Sequence, residues 1–166
     1  MTTRNLNALF RPASVTLIGA SNRAHSLGAV IAENLREGGF EGPILPVNPK
    51  HSAVAGILCY PDVKSLPLAP DLAIICTPPQ TVPPLIAELG ARGTRAAIVV
   101  TAGFQEGGSA AGLALQNAML DAARPHLLRV IGPNCLGVIS TPIQMNASFA
   151  PSTPKKGSVA LEAQSG

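Results

Sequence analysis

Glycines, small polar residues and two cations follow the short apolar runs of this sequence, and residues of these types can bind an anionic ligand. The groups are Gly19-Ala20-Ser21-Asn22-Arg23, Asn48-Pro49-Lys50, Thr77-Pro78-Pro79, Thr101-Ala102-Gly103-Phe104 and Gly132-Pro133-Asn134. If the apolar runs are parallel strands, the groups meet at the carboxyl edge of one sheet, where open α/β sheets bind ligands. We therefore treat them as one candidate site.

The first group predicts a phosphate-binding turn. Gly19 permits a tight turn, and Ser21 and Asn22 offer hydrogen-bond donors. Gly28 allows a close approach at the start of a helix capped by Ser26, and the N-terminus of a helix favours an anion. Packing alone is the alternative explanation for both glycines.

The second group, Asn48-Pro49-Lys50, helps to distinguish NAD from nucleotides that carry a phosphorylated ribose. NAD-binding domains place Asp or Glu after the second strand to hold the ribose 2′-hydroxyl, whereas Asn48 stands here. Gly19 and Gly28 also depart from the G-x-G-x-x-G spacing. Lys50 would attract a phosphorylated ribose, so NADP and the 3′-phosphoadenosine of coenzyme A both remain open. A solvated turn lysine is the third interpretation.

No set of side chains predicts catalysis or a metal site. His25, His51 and His126 belong to no Ser-His-Asp set, and no carboxylate pair replaces one. The three cysteines are widely separated and form no C-x-x-C pair. We expect no catalytic or metal-binding residue, and we interpret Cys135 as a buried small hydrophobe.

The elements that position these groups alternate between apolar runs and helical patterns. The predicted strands are 15–18, 44–47, 72–75, 96–100 and 127–131. Predicted helices follow Ser26, begin near Thr81 and start at Ser109. We predict an α/β fold, a Rossmann-like doubly wound parallel sheet in three α/β/α layers. Pro46 cannot donate to a ladder, so the second strand is either short or lacks a partner on its N–H side.

The pattern changes towards the end of the chain. Residues 1–150 are predicted to form the nucleotide-type domain, and the sequence becomes loop-like after Pro142. Residues 151–166 are predicted to be a linker and the first strand, at 158–161, of a truncated second domain. A C-terminal edge strand is the alternative.

The composition fits one folded domain with an anionic partner. Apolar residues make up 46% of the 166 residues and charged residues 13%, with a net charge of +3, which excludes a disordered chain. Lys and Arg are scattered and aromatic residues are few, so no nucleic-acid partner is expected. With no signal-like N-terminus and no long apolar run, we expect a cytoplasmic protein without membrane contact.

Several spaced motifs resemble those of the NDP-forming acyl-CoA synthetases. They are Leu9-Phe10-Arg11-Pro12, Ile18-Gly19-Ala20-Ser21, Pro46-Val47-Asn48-Pro49-Lys50, Thr101-Ala102-Gly103-Phe104, Gly132-Pro133-Asn134-Cys135-Leu136-Gly137 and the closing Gln164-Ser165-Gly166. They occur in the family's order and cover nearly the whole chain. The resemblance implies a CoA-binding domain akin to the N-terminal domain of the succinyl-CoA synthetase α subunit.

Carried over by position, the resemblance also implies roles for the candidate residues. Residues 19–22 and the helix start Ser26-Leu27-Gly28 would contact the phosphates of CoA, and Lys50 would pair with the 3′-phosphate or pyrophosphate. Thr77-Pro78-Pro79 and Val100-Thr101-Ala102 would line the path of the adenine and pantetheine. Asn134 would lie near the thiol.

The resemblance further implies a parent protein that interconverts acid, CoA and NTP with acyl-CoA, NDP and phosphate. ATP or ADP, magnesium and the phosphoryl-carrying histidine would belong to other domains, and the small carboxylic acid would be met only through the parent. A homo-oligomer or a contact with an ATP-grasp domain is a further expectation. The alternatives are a fused protein lysine acetyltransferase, an NADP-dependent oxidoreductase domain and a non-catalytic CoA sensor.

Overall fold

The computed structural model describes residues 3–157 and contains one five-stranded parallel sheet. The strands are β1 (Val15–Ile18), β2 (Ile44–Val47), β3 (Ala53–Val54), β4 (Ile57–Leu58), β5 (Leu72–Ile75), β6 (Ala96–Val99), β7 (Arg129–Ile131), β8 (Gly137–Ser140) and β9 (Met145–Ser148). The helices are α1 (Leu6–Phe10), α2 (Leu27–Glu37), α3 (Val82–Ala91) and α4 (Ala110–Ala123). The main sheet has the order β2-β1-β5-β6-β7, so the predicted doubly wound α/β fold is confirmed.

The central strands form because their residues are apolar on both faces. Every residue of β1, β5 and β6 is buried, as expected for parallel strands covered by layers on each side. Thr16 is the one polar residue in these three strands. Its buried hydroxyl donates to the Leu45 carbonyl oxygen at 2.7 Å and is therefore not left unsatisfied.

Helices α2, α3 and α4 begin where the sequence predicts them, whereas α1 was not predicted. Ser26 caps α2 by accepting a hydrogen bond from the Ala29 N–H at 3.3 Å, and Ser109 caps α4 in the same way from Gly112 at 3.0 Å. Pro83 and Pro84 lie in the first turn of α3, where the missing N–H groups would have had no intrahelical partner. Each helix then buries one apolar face against the sheet.

The two faces of the sheet carry different layers. On one face, α3 and α4 pack over a core that includes Ile75, Ile86 and Met119. On the other face, α2 and α1 share the layer with the antiparallel hairpin β8–β9, whose Met145 is fully buried. The prediction of loop structure after Pro142 is therefore wrong, because β9 is a buried strand.

Polar side chains hold this hairpin against α2. The amide of Asn34 donates to the carbonyl oxygens of Ser148 and Ala150 at 2.8 and 3.0 Å. The buried Ser148 hydroxyl donates to Asn146 at 2.6 Å. These bonds fix where the chain leaves the domain; the strand predicted at 158–161 lies outside the described residues.

The position of Pro46 is explained by the strand order. β2 is an edge strand, and the Pro46 carbonyl oxygen accepts from the Tyr60 N–H on the outer side at 2.9 Å. Since the N–H and C=O of one residue point to the same side of a strand, the missing N–H lies away from β1 and costs no ladder bond.

Within residues 3–157, no helix has the length and apolar character needed to cross a lipid bilayer.

We predict that Gly28→Ala destabilises the fold. A Cβ at Gly28 would lie 2.0 Å from the Gly19 carbonyl oxygen, so α2 must shift away from the end of β1. Overpacking of this kind costs about 1–3 kcal/mol of unfolding free energy. Urea denaturation measures the loss, and Gly157→Ala is the matched control because its added Cβ meets nothing within 4 Å. Equal stabilities for the two variants would contradict the close contact.

Candidate functional site

The strand order of the main sheet reverses at β1. The chain moves from β1 to β2 on one side and then crosses to β5 on the other side. In open parallel sheets, the loops beyond the carboxyl ends of the strands separate at such a point and leave a crevice between them. The tips of β1, β2 and β5 therefore define the candidate site.

The β1 tip is a close-packed glycine turn. Gly19 has a φ of +89°, and its N–H donates to the Val47 carbonyl oxygen at 3.0 Å. A Cβ at Gly19 would lie 3.0 Å from both the carbonyl oxygen of Cys76 and the Cγ2 of Thr77. The start of α2 is pressed against the same turn through Gly28. The turn and the N-terminus of α2 together form a cradle that suits a phosphate.

The side chains of Ser21 and Asn22 both form hydrogen bonds within the protein. The Ser21 hydroxyl oxygen accepts from the Arg23 N–H at 3.0 Å. The Asn22 amide donates to the Ala53 carbonyl oxygen at 2.8 Å and thereby holds the β3–β4 hairpin. Asn22 therefore shapes the loop, whereas the Ser21 hydroxyl only accepts in its hydrogen bond to the described residues and keeps its O–H as a donor for a ligand.

Asn48 links the tips of β1 and β2. Its amide donates to the Ala20 carbonyl oxygen at 2.7 Å, and its side-chain oxygen accepts from the Lys50 N–H at 2.9 Å. The residue after β2 is therefore a structural amide at the position where a dinucleotide-binding domain has a ribose-binding carboxylate.

Two basic side chains at this edge have no partner among residues 3–157. The side chains of Arg23 and Lys50 are exposed. Neither forms a hydrogen bond or an ion pair with any residue in the described range 3–157. Unpaired positive groups beside a glycine turn favour a phosphorylated ligand.

A cleft of about 530 Å³ opens beside the cradle. It lies between the β2 and β5 tips and the first turns of α3. Its lining residues are Ile18, Gly19, Val47, Asn48, Pro49, Pro61, Asp62, Val63, Thr77, Pro78, Gln80, Thr81, Pro84, Leu85 and Glu88. The charged residues in this lining are two carboxylates, and the walls are otherwise apolar or neutral.

The Asp62 carboxylate is held in its ionised form. The hydroxyl and the N–H of Ser65 donate to its Oδ1 at 2.7 and 2.8 Å, and they lower the pKa of the Asp62 carboxyl below its ordinary value. A negatively charged wall disfavours a phosphate inside the cleft. The cleft therefore suits an uncharged ring better than a phosphate group.

The tips of β6 and β7 form a second part of the edge. The Thr101 hydroxyl donates to the Thr77 carbonyl oxygen at 2.7 Å, and the Asn134 N–H donates to the Thr101 carbonyl oxygen at 3.0 Å. These bonds join the loops after β5, β6 and β7 side by side. A chain-like ligand group could extend over them from the cradle.

The structure brings part of the predicted set around the cleft. Gly19, Asn48, Pro49, Thr77 and Pro78 line it directly, and the β6 and β7 residues Ala102, Gly103 and Asn134 lie exposed along the edge away from it. The side chains of Ala20 and Val100 are buried, so only their backbone can meet a ligand.

Other lining residues have no counterpart in the sequence prediction. Asp62 and Val63 come from an irregular segment. Leu85 and Glu88 come from α3, where the spacing of apolar residues predicted only the face that packs against the sheet. No local signal in the sequence identifies them.

The histidines do not form a reactive set. His25 and His126 are exposed and His51 is partly buried, each on a different connection of the fold. Among residues 3–157, no group of three His, Cys, Asp or Glu side chains could hold a metal ion. The site has the means to bind a ligand, and its described side chains offer no nucleophile paired with a base.

Comparison with known proteins identifies the ligand class. The CoA binding domain family matches residues 13–141. The acetate–CoA ligase (ADP-forming) of Methanocaldococcus jannaschii is 41% identical over 155 residues, which cover 93% of this chain and 21% of the relative. This chain therefore spans about a fifth of that relative's length.

Solved structures agree with the sequence comparison. PH0766 from Pyrococcus horikoshii OT3 has a TM-score of 0.85 and 36% identity, over 92% of this chain and 34% of that one. The dinucleotide forming acetyl-coenzyme A synthetase 1 of Ca. Korarchaeum cryptofilum, in complex with phosphate and ADP, has a TM-score of 0.82 and 35% identity, over 88% and 31%.

We predict that the thiol at the β5 tip is inert. Burial raises the pKa of Cys76 to about 12, so the thiolate that reacts with alkylating agents is scarce at pH 8. In a Cys59→Ser/Cys135→Ser variant, iodoacetamide should modify Cys76 at least about 100-fold more slowly than free cysteine. The same variant in guanidinium chloride serves as the control and should react at the free rate. Rapid labelling of the folded variant would show that this edge is open.

Proposed function

Because this chain belongs to the family of CoA binding domains, we propose that it supplies the coenzyme A site of an ADP-forming acyl-CoA ligase of the acetate–CoA type. The observation that carries the proposal is the division of charge at the carboxyl edge. A glycine cradle flanked by Arg23 and Lys50 adjoins a cleft whose charged lining residues are carboxylates.

This division matches the chemistry of coenzyme A. Its diphosphate and 3′-phosphate require backbone donors and cations, which the β1 turn, the start of α2 and Lys50 provide. Its adenine is an uncharged ring that fits the cleft beside Thr77 and Pro78. Its pantetheine arm then extends over Thr101, Ala102 and Gly103 towards Asn134.

The role of these residues in the proposed ligase is to bind and orient the thiol substrate. The parent reaction joins an acid to CoA while ATP becomes ADP and phosphate. Nucleotide, magnesium and the phosphoryl-carrying histidine are assigned to other parts of the parent. The small share of the relatives that this chain covers supports this assignment, because most of their length lies outside the matched domain.

One titration tests the ligand. Calorimetry of the purified chain with CoA, 3′-dephospho-CoA and NADPH should rank them in that order of affinity. Tighter binding of NADPH than of CoA would favour an oxidoreductase domain and overturn the proposal.

For the parent protein, a phosphohistidine motif and an ATP-grasp domain encoded beyond Gly166 would support the ligase. An acetyltransferase module encoded there would support the regulatory alternative.

We predict that Lys50→Ala weakens CoA binding by roughly tenfold or more and leaves 3′-dephospho-CoA binding nearly unchanged, since charge-assisted contacts to phosphate are strong. Lys155→Ala removes an exposed lysine from the far end of the domain and is the matched control. Calorimetry in low salt measures both ligands. Equal losses for the two ligands would place Lys50 away from the 3′-phosphate.

We predict that Leu85→Trp blocks the adenine part of the site. Leu85 lines the cleft from α3, and the larger ring would fill the space that the base needs. Binding of CoA and of adenosine 3′,5′-bisphosphate should both fall by about tenfold, because steric overpacking of this kind costs about 1–3 kcal/mol. Leu113→Trp on the exposed side of α4 provides the control. Unchanged affinity in Leu85→Trp would put the base elsewhere.

A further inference from the structure

A carboxylate clamps two backbone amides in the loop that follows β6. Glu106 accepts from the Gly103 N–H through Oε1 at 2.5 Å and from the Phe104 N–H through Oε2 at 3.1 Å. The N–H groups of Glu106 itself, Gly103 and Phe104 lower the pKa of this carboxyl below its ordinary value. The clamp is therefore charged at neutral pH, and charge-assisted bonds of this kind are the stronger class.

The fold does not need this clamp to anchor the loop. The Phe104 side chain is only 1% exposed and secures the loop in the core. The Phe104 carbonyl lies against α4, where a Cβ at Gly112 would be 2.0 Å from it. The Thr101 hydroxyl ties the other end of the loop to Thr77. Two anchors thus hold the segment on either side of Gly103.

The two clamped amides differ in their need for a partner. Gly103 is exposed, so water can satisfy its N–H at little cost, whereas Phe104 is buried and its N–H has Glu106 as its partner among the described residues. The bond from the Gly103 N–H restricts a glycine whose φ of +100° lies in the left-handed region. A Cβ there would lie 3.1 Å from Cγ of Pro79, so the restricted residue adjoins the β5 turn at the ligand edge.

The sheet order indicates which part of a ligand this loop would meet. β6 lies on the far side of β5 from β1 and β2, so its loop is away from the glycine cradle and the cations. It is absent from the lining of the cleft proposed for the base. The remaining part of coenzyme A is the pantetheine arm.

We propose that Glu106 is a positioning residue for the pantetheine arm, which it serves by holding Gly103 and Phe104 in the shape that lets the β6 loop contact the arm. This inference rests on the proposed function. Glu106 itself does not contact the reacting thiol; it acts through the backbone of the loop.

The test compares a ligand that has the arm with one that lacks it. Calorimetry of the whole chain measures CoA and adenosine 3′,5′-bisphosphate against wild type, Glu106→Gln and Glu106→Ala. We expect Glu106→Ala to weaken CoA binding by about tenfold, because two charge-assisted bonds are lost. Glu106→Gln keeps one acceptor oxygen and should lose less. The bisphosphate should bind all three proteins equally.

A spectroscopic measurement reports the clamp directly. In ¹H–¹⁵N spectra of the free protein, the Gly103 and Phe104 amide signals should move upfield in Glu106→Ala and partly return in Glu106→Gln. Glu41→Gln removes an exposed carboxylate before β2, at the opposite edge of the sheet, and should alter neither ligand's affinity nor these signals.

The outcomes separate this inference from the function on which it rests. Wild type that binds neither ligand would overturn both. If wild type binds CoA but the Glu106 variants bind it equally well, only the positioning role is overturned. The same holds if the Glu106 variants lose affinity for both ligands to the same extent. If Glu106→Ala unfolds, the comparison of CoA with the bisphosphate in Glu106→Gln decides.

Discussion

The contact between the start of α2 and the end of β1 determines the geometry of the ligand edge. Only a residue without a side chain fits at Gly28, since a Cβ there would meet the Gly19 carbonyl oxygen at 2.0 Å. This contact brings the positive end of the α2 dipole onto the β1 turn. The proposed phosphate cradle is therefore a consequence of backbone packing and depends little on which polar side chains follow Gly19.

Most polar side chains at this edge serve the protein itself. Asn48 joins the β1 and β2 tips, Asn22 holds the β3–β4 hairpin and Thr101 ties the β6 loop to Thr77. Loops without regular structure need such bonds, because their backbone groups have no ladder partner. Backbone amides, the Ser21 hydroxyl and the exposed cations Arg23 and Lys50 remain available for a ligand. In the site that we propose, the main chain and these cations would bind the phosphates.

Negative side chains line the cleft, and positive side chains lie outside its lining. The carboxylates of Asp62 and Glu88 line the cleft, and they disfavour a phosphate in the space proposed for the base. Arg23 and Lys50 are absent from the lining of the cleft and follow the tips of β1 and β2. For the ligand that we propose, this arrangement would orient an adenosine phosphate before any specific contact with the base.

Apolar runs, helix caps and glycines act over a few neighbouring residues, so the parallel sheet, the three long helices and the glycine turn could be predicted from the sequence. Motifs at the strand ends also indicated the family, and the match to the CoA binding domain family confirms that prediction. Three other features became visible in the fold alone: the residues near 145 form a buried strand, Pro46 lies on the outer side of an edge strand, and Asp62, Leu85 and Glu88 share a cleft with Gly19. Those outcomes depend on contacts between segments far apart in the chain, and no local pattern of residues specifies such contacts.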